Sequence, residues 1–166
     1  VSLFLSTNNP KISYRKENIP IKNVKAYVDF ASLIKSDVKI KKIELILNEI
    51  DSIKLKKISK IFKPSNFNSF LNNKLLKAKI DLNIELYFND DNSFDNFIAR
   101  GNVKNLSASI KNEINLEKAK FSFFADKSDV ILKNFFGKVG SIKILDGDLK
   151  LNILPEISIS SNFKTK

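Results

Sequence analysis

Apolar and polar residues alternate along most of this chain with a period of two, the pattern of strands that bury one face and wet the other. The clearest run is KAKIDLNIELYF, from Lys77 to Phe88. Its even positions, Ala78, Ile80, Leu82, Ile84, Leu86 and Phe88, are all apolar. Its odd positions Lys79, Asp81, Asn83 and Glu85 are polar, with Tyr87 the exception. The same habit joins Val1, Leu3 and Leu5, then Val24, Ala26, Val28 and Phe30. Val38 and Ile40 begin a strand whose phase then changes to Ile43, Leu45 and Leu47. The Lys41–Lys42 pair at that change predicts a β-bulge or a short turn that keeps the apolar side chains on one face.

The stretch from Ile53 to Leu76 differs. Ile58, Ile61 and Phe62, then Phe67, Phe70, Leu71 and Leu75, fall at three-to-four spacing, and Pro64 separates the two sets. This predicts two short helices, with Ser65 or Asn66 capping the second. Strands then resume after a polar turn at Asn89–Ser93. Ala99, Gly101 and Val103 alternate, then Leu106, Ala108 and Ile110, then Ala119, Phe121, Phe123 and Ala125. After a turn at 126–129 come Val130 and Leu132, with Phe136 beyond Asn134. Ile142 and Ile144 follow, Asp146–Gly147 reads as a hairpin turn, and Leu149, Leu151 and Ile153 precede Pro155. Ile157 and Ile159 mark one more strand. The reading is a single, mainly β segment: strands over 1–50, a helical insertion over 53–76, and an antiparallel series over 77–160.

Such a sheet must hide its apolar face. It can close as a sandwich or barrel, lie under the helices, or stay a curved trough around an apolar ligand. The Lys77–Phe88 strand spans about 36 Å at roughly 3.3 Å per residue, and two short helices cover only part of that. Ordinary core and ligand groove both fit the alternation. An acyl chain gains about 0.8 kcal/mol per CH₂ on leaving water. A lipid in a bilayer already has that gain, so an aliphatic trough need only match the membrane.

Composition narrows the chemistry. With 166 residues the chain suits one domain, and it has neither Cys nor His. That removes thiol chemistry, disulfides, imidazole catalysis and most zinc sites. Asp90, Asp91 and Asp95, Asp126 and Asp129, and Asp146 and Asp148 sit in turn-like stretches, where solvated loops explain them better than metal or acid–base sites. No glycine-rich phosphate loop occurs. No catalytic residue, metal or cofactor is expected. The formal charge is +11, yet only Arg15 and Arg100 are arginines, so specific nucleic-acid readout is not expected. Anionic surfaces remain candidates. Lys54, Lys56, Lys57 and Lys60 flank the first helix, either as a solvated face or as a basic edge against lipid headgroups. No stretch of eighteen apolar residues exists to span a bilayer.

VDFASLIKSDVKIKKIELIL, Val28 to Leu47, resembles the AsmA-like proteins of Gram-negative envelopes. Ser32, Leu33 and Ile34 fit the family's short Leu-rich turn, and Val38, Ile40, Ile43 and Leu45 fit the strand after it. The later stretch FADKSDVILKNFFGKVGSIKILDGDLKL is similar to the family's C-terminal part, with Asn134, Gly137 and Gly147 at matching places. Lys35 stands where the family often has Gly, and Asn48–Glu49 where a Pro often follows. The resemblance implies a curved β-groove in a periplasmic protein anchored in the inner membrane, linked to phospholipid transport toward the outer membrane and to envelope integrity. It implies a non-enzymatic chain whose partners are phospholipid acyl chains. The groove would be lined by Ala78, Ile80, Leu82, Ile84, Leu86, Phe88, Phe121, Phe123, Leu149, Leu151 and Ile153. The chain opens on VSLFLST without Met or a signal-peptide start, and reads as a piece of a longer protein whose N-terminal membrane anchor is missing here. A structural β-domain within a larger envelope protein is one alternative, and a basic module that binds nucleic acid without sequence preference is another.

Overall fold

The computed structural model describes residues 2–35, 37–60, 65–111, 114–154 and 156–166. Its elements are β1 (Ser2–Asn8), β2 (Ile12–Tyr14), β3 (Glu17–Ile19), β4 (Ile21–Asp29), α1 (Phe30–Ile34), β5 (Ile40–Leu47), β6 (Ile50–Asp51), α2 (Ser52–Ser59) and α3 (Asn66–Asn73). Then follow β7 (Leu75–Phe88), β8 (Phe94–Lys111), β9 (Ile114–Ala125), β10 (Asp129–Val139), β11 (Ile142–Asn152) and β12 (Ser158–Thr165). Ten strands form one sheet in the order β1-β4-β5-β7-β8-β9-β10-β11-β12, with β6 on β7; β2 and β3 make a separate hairpin. Every pairing is antiparallel. The path ends at β1 and β12, which do not meet, so the sheet stays open rather than closing as a barrel.

Its surface reflects that openness. The chain exposes 11306 Å², whereas a compact monomer of this mass exposes roughly 8,300 Å².

Local chemistry sets the turns and caps. At the β7–β8 turn Asn89 N donates to Ser93 O at 2.9 Å, Ser93 N donates to the Asp91 carboxylate at 2.9 Å, and Asn92 adopts φ 61°. At the β9–β10 turn the Asp126 carboxylate accepts from Ser128 N and Asp129 N at 2.7 and 3.0 Å, an Asx turn. Asp51 caps α2 by accepting from Lys54 N at 2.8 Å, and Ser65 caps α3 by accepting from Asn68 N at 3.1 Å, so the cap falls on Ser65. Asp29 likewise accepts from Ser32 N at 2.9 Å, which turns the expected Ser32–Ile34 turn into the short helix α1 and takes Phe30 out of the strand. Leu75, grouped with the helix by spacing, instead opens β7 and is buried. Val1, Ile61, Phe62, Pro64 and Pro155 lie outside the described residues, as does the side chain of Phe67.

One-residue bulges keep the apolar side chains on one face. Tyr27 pairs with Lys42 and Val28 with Ile40, so Lys41 is the extra residue, as the phase change predicts. The long strands repeat the device. Asn105, Lys118 and Asn134 adopt φ 52°, 50° and 53°, each beside a register shift in β8, β9 and β10. Val103 and Leu106, Leu116 and Ala119, and Leu132 and Phe135 therefore share a face at three-residue spacing. This corrects the sequence reading of β10. Phe135 is buried, while Phe136 points to the other face at 37% exposure. The Asp146–Gly147 expectation is also corrected. Both residues lie inside β11, and the chain turns at Gly140, whose φ of +58° suits the left-handed region. Gly147 serves packing instead. A Cβ there would fall 2.0 Å from the Phe163 ring.

The sealed core sits at one end of the sheet. It gathers Leu71 of α3 with Leu75, Ala78, Val103, Leu106, Ala108, Ala119 and Phe135, and Leu55 of α2 packs against it. Gly101 has no room to grow. A Cβ there would lie 1.9 Å from the Asp81 carbonyl oxygen, and backbone cannot yield as a side chain can. Gly101→Ala is expected to destabilise the chain by about 2 kcal/mol or more, read as a lower urea midpoint at unchanged slope.

A candidate apolar trough

Strand register carries apolar side chains in rows across the sheet. One row runs Leu82, Gly101, Phe123, Leu132, Leu149 and Ser161, from β7 to β12. The next runs Ile84, Ala99, Ala125, Val130, Leu151 and Ile159. On the other side of β7 it continues through Leu45 and Val24 to Thr7. A third joins Leu86 to Phe97 in one direction and to Ile43, Ala26 and Leu5 in the other. Side chains from all nine strands of the path thus share one face. At about 4.8 Å per strand that face is roughly 38 Å wide.

The helices leave most of it uncovered. α2 and α3 pack at the start of β7, and α1 packs on β4. Ile80, Leu82, Ile84, Leu86, Phe88, Phe121, Phe123, Leu149 and Leu151 are all half-buried. The remaining two expected lining residues sit elsewhere. Ala78 is 1% exposed beneath the α3 core, and Ile153 follows β11, its N–H donating to Ser128 O at 2.7 Å. An aromatic group divides sealed core from open face: Phe121 stacks on Phe135 at 5.4 Å, and Phe163 meets Phe135 edge-on at 5.8 Å.

The opposite face is a charge ladder. Lys42 Nζ lies 2.5 Å from Glu44 and 3.8 Å from Glu85, and Arg100 also pairs with Glu85. The Tyr87 hydroxyl donates to Glu85 at 2.5 Å, and that of Tyr27 to Glu44 at 3.1 Å. Lys104 pairs with Asp81 at 2.8 Å and Lys79 with Glu49 at 2.7 Å. Glu85 is only 9% exposed among these partners, and Ile98, Phe124 and Ile131 share this face across the sheet, so it is charged around β5 and β7 and mixed beyond them. Among the described residues no group of three or more carboxylates is placed to hold a metal ion.

Four carboxylates, one on this face and three in turns, titrate low. The Lys42 ammonium, hydrogen-bonded to Glu44, holds that carboxyl below its ordinary 4.5. Lys41 does the same for Asp90, the Ser93 hydroxyl for Asp91, and the N–H groups of Ser128 and Asp129 for Asp126, all below 3.8. Lys42, Lys79 and Lys104 are raised above 10.5 by hydrogen bonds to Glu44, Glu49 and Asp81. A depressed carboxylate stabilises the fold above its ordinary value and stops doing so as pH falls through the lowered one. A raised lysine stabilises below its ordinary value and stops above the raised one. Stability is therefore expected to be flat between roughly pH 5 and 10 and to drop below about pH 4, with the exposed Asp90 and Asp91 contributing little and the half-buried Lys42–Glu44 pair more. Urea midpoints across that range test it.

Lys54, Lys56, Lys57 and Lys60 lie on α2 and at its C-cap, beside the sealed core and away from the middle rows. Alternation missed the roles of Phe135 and Phe163. Asn134, which tolerates positive φ better than most residues, was the signal for the first, and nothing in the sequence marks the second.

Fold and register define an open antiparallel β-sheet that carries rows of aliphatic and aromatic side chains on one face. Comparison with known protein families, with curated proteins and with solved structures finds no match for this chain.

Proposed function

We propose that the chain is a non-enzymatic lipid-binding segment that carries phospholipid acyl chains along its apolar face. The AsmA-like resemblance supplies the setting: a periplasmic protein tied to the inner membrane, moving phospholipid between the two membranes of the envelope. One observation carries the reading. The apolar rows cross nine strands and stay half exposed, on a chain whose total surface of 11306 Å² exceeds that of a compact protein of its size. Contiguous exposed apolar area on this scale marks a binding surface. Its lining of Ile, Leu, Val, Ala and Phe meets a hydroxyl only at the row ends, Thr7 and Ser161, so acyl chains of different length are held by the same contacts. Exchange with a bilayer is then nearly neutral, because hydrocarbon stays buried at each stage.

Native mass spectrometry after purification without detergent tests this. The expected spectrum contains the chain with phospholipid adducts, and the delipidated chain takes up a fluorescent fatty acid. Bare protein together with no uptake would return the chain to the role of a structural β-domain.

A further inference from the structure

The antiparallel order sorts charge along the strand axis. Leu75 starts β7 beside α3, so the end of β8, the start of β9 and the β10–β11 turn all lie at that helix end. Lys57, Lys60, Lys74, Lys77, Lys138 and Lys143 gather there, and none of them has an ion-pair partner among the described residues. Lys138 and Lys143 stand directly opposite each other in register, a like-charge pair that costs stability unless an anion approaches. Among the described residues the acidic groups at this end are Glu17 of β3, which packs by α2, Glu49, held by Lys79, Asp51, which caps α2, and Glu117, opposite Lys138 in register.

The other end carries the opposite sign. The β7–β8 turn holds Asp90, Asp91 and, just beyond it, Asp95; the β9–β10 turn holds Asp126; Asp37 and Glu156 lie in the adjoining connections. Most of its lysines have partners: Lys41 pairs with Asp90, Lys39 with Asp37 at 3.6 Å, and Lys127 lies over the Phe94 ring at 5.0 Å, while Lys35 at the C-cap of α1 meets no carboxylate among the described residues. Exposed apolar side chains occur at both ends, Leu76 and Ile142 at one and Phe94 at the other, so charge alone gives the molecule a direction.

We infer that the helix end docks on an anionic phospholipid bilayer, with the strands rising away from the surface and the acidic end held off it. Lysines beside exposed apolar side chains form the usual contact with anionic headgroups. The acidic turns sit a strand length away, beyond a Debye length at physiological salt, so each end answers the membrane separately. This surface does not depend on what the apolar rows hold.

The chain has no Trp, so single reporters are unambiguous. Leu76→Trp and Phe94→Trp place one at each end, on side chains that are 60% and 51% exposed. Each full chain is mixed with phosphatidylcholine vesicles, with or without phosphatidylglycerol, carrying brominated acyl chains. The expected result is quenching of the Leu76→Trp reporter only, only with phosphatidylglycerol, and lost at high salt. Lys74→Glu/Lys77→Glu/Lys143→Glu, with circular dichroism unchanged, is expected to weaken vesicle binding about tenfold or more. Quenching of the Phe94→Trp reporter to the same extent, equal binding to neutral vesicles, or displacement by single-stranded RNA at matched charge would overturn the inference. Fatty-acid uptake in vesicle-free solution is unaffected by any of these outcomes, so the two proposals fail separately.

Discussion

Leu82→Glu combined with Ile84→Glu is expected to abolish fatty-acid uptake while the far-UV circular dichroism of the chain stays the same. Both side chains sit at the centre of the apolar rows, where Leu82 faces Gly101 and Ile84 lies between Leu45 and Ala99. Both are half-buried. In an open trough a carboxylate at either position still reaches water, so the fold survives. The ligand does not, because an acyl chain laid along the row would have to strip water from two charges. Losing two aliphatic contacts alone costs about 3–6 kcal/mol, which puts the loss of affinity on the order of a hundredfold or more. Were this face an ordinary core, the same change would bury two unpaired charges and unfold the chain. Asp81→Ala and Asn83→Ala, on the wet face of the same strand, serve as controls with unchanged uptake.

The second large effect is on stability. Phe135→Ala is expected to cost about 3–5 kcal/mol, the usual loss for a buried Phe, out of a total stability of roughly 5–15 kcal/mol. Phe135 is 9% exposed and holds Phe121 on one side and Phe163 on the other. Its removal opens a cavity at the junction of β9, β10 and β12, which the glycine at 147 cannot fill. Phe136→Ala, one residue on, removes a ring that is 37% exposed and covered by the Lys120 ammonium at 4.5 Å. That change is expected to cost under about 1 kcal/mol. Chemical denaturation of the two variants side by side measures the difference.

This pair also shows how far the sequence could be read. Period-two alternation marks the inner strands of the main path, because a half-buried strand leaves little choice of pattern; Val38 and Ile157, expected to start strands, lie just before β5 and β12. The phase slip at Lys41–Lys42 locates a bulge because apolar residues flank it on both sides. The slip at Asn134 is disguised. Two phenylalanines stand side by side, and alternation carried past Asn134 selects Phe136, whereas the left-handed backbone at Asn134 turns Phe135 inward. The Asp146–Gly147 pair misleads for a related reason. A glycine can mark a turn or a place where another side chain needs its space, and Phe163, sixteen residues on, decides which.

The apolar rows were legible only as stripes on single strands. Ile80, Leu82, Ile84, Leu86, Phe121, Phe123, Leu149 and Leu151 do share a face, because no bulge falls between those on the same strand. Whether that face closes depends on register across nine strands and on where α2 and α3 dock. Those are long-range facts that no local window contains. Ala78 illustrates the limit: it has the parity of Ile80, yet Leu71 and Leu75 bury it.

The most direct measurement is photo-crosslinking of a fatty acid bearing a diazirine along its chain, mapped by peptide mass spectrometry on the unmodified protein. The account predicts adducts on Leu82, Phe123, Leu132 and Leu149, which form one row, and none on Phe124 or Ile131 of the opposite face. Adducts scattered over both faces, or none at all, would contradict it.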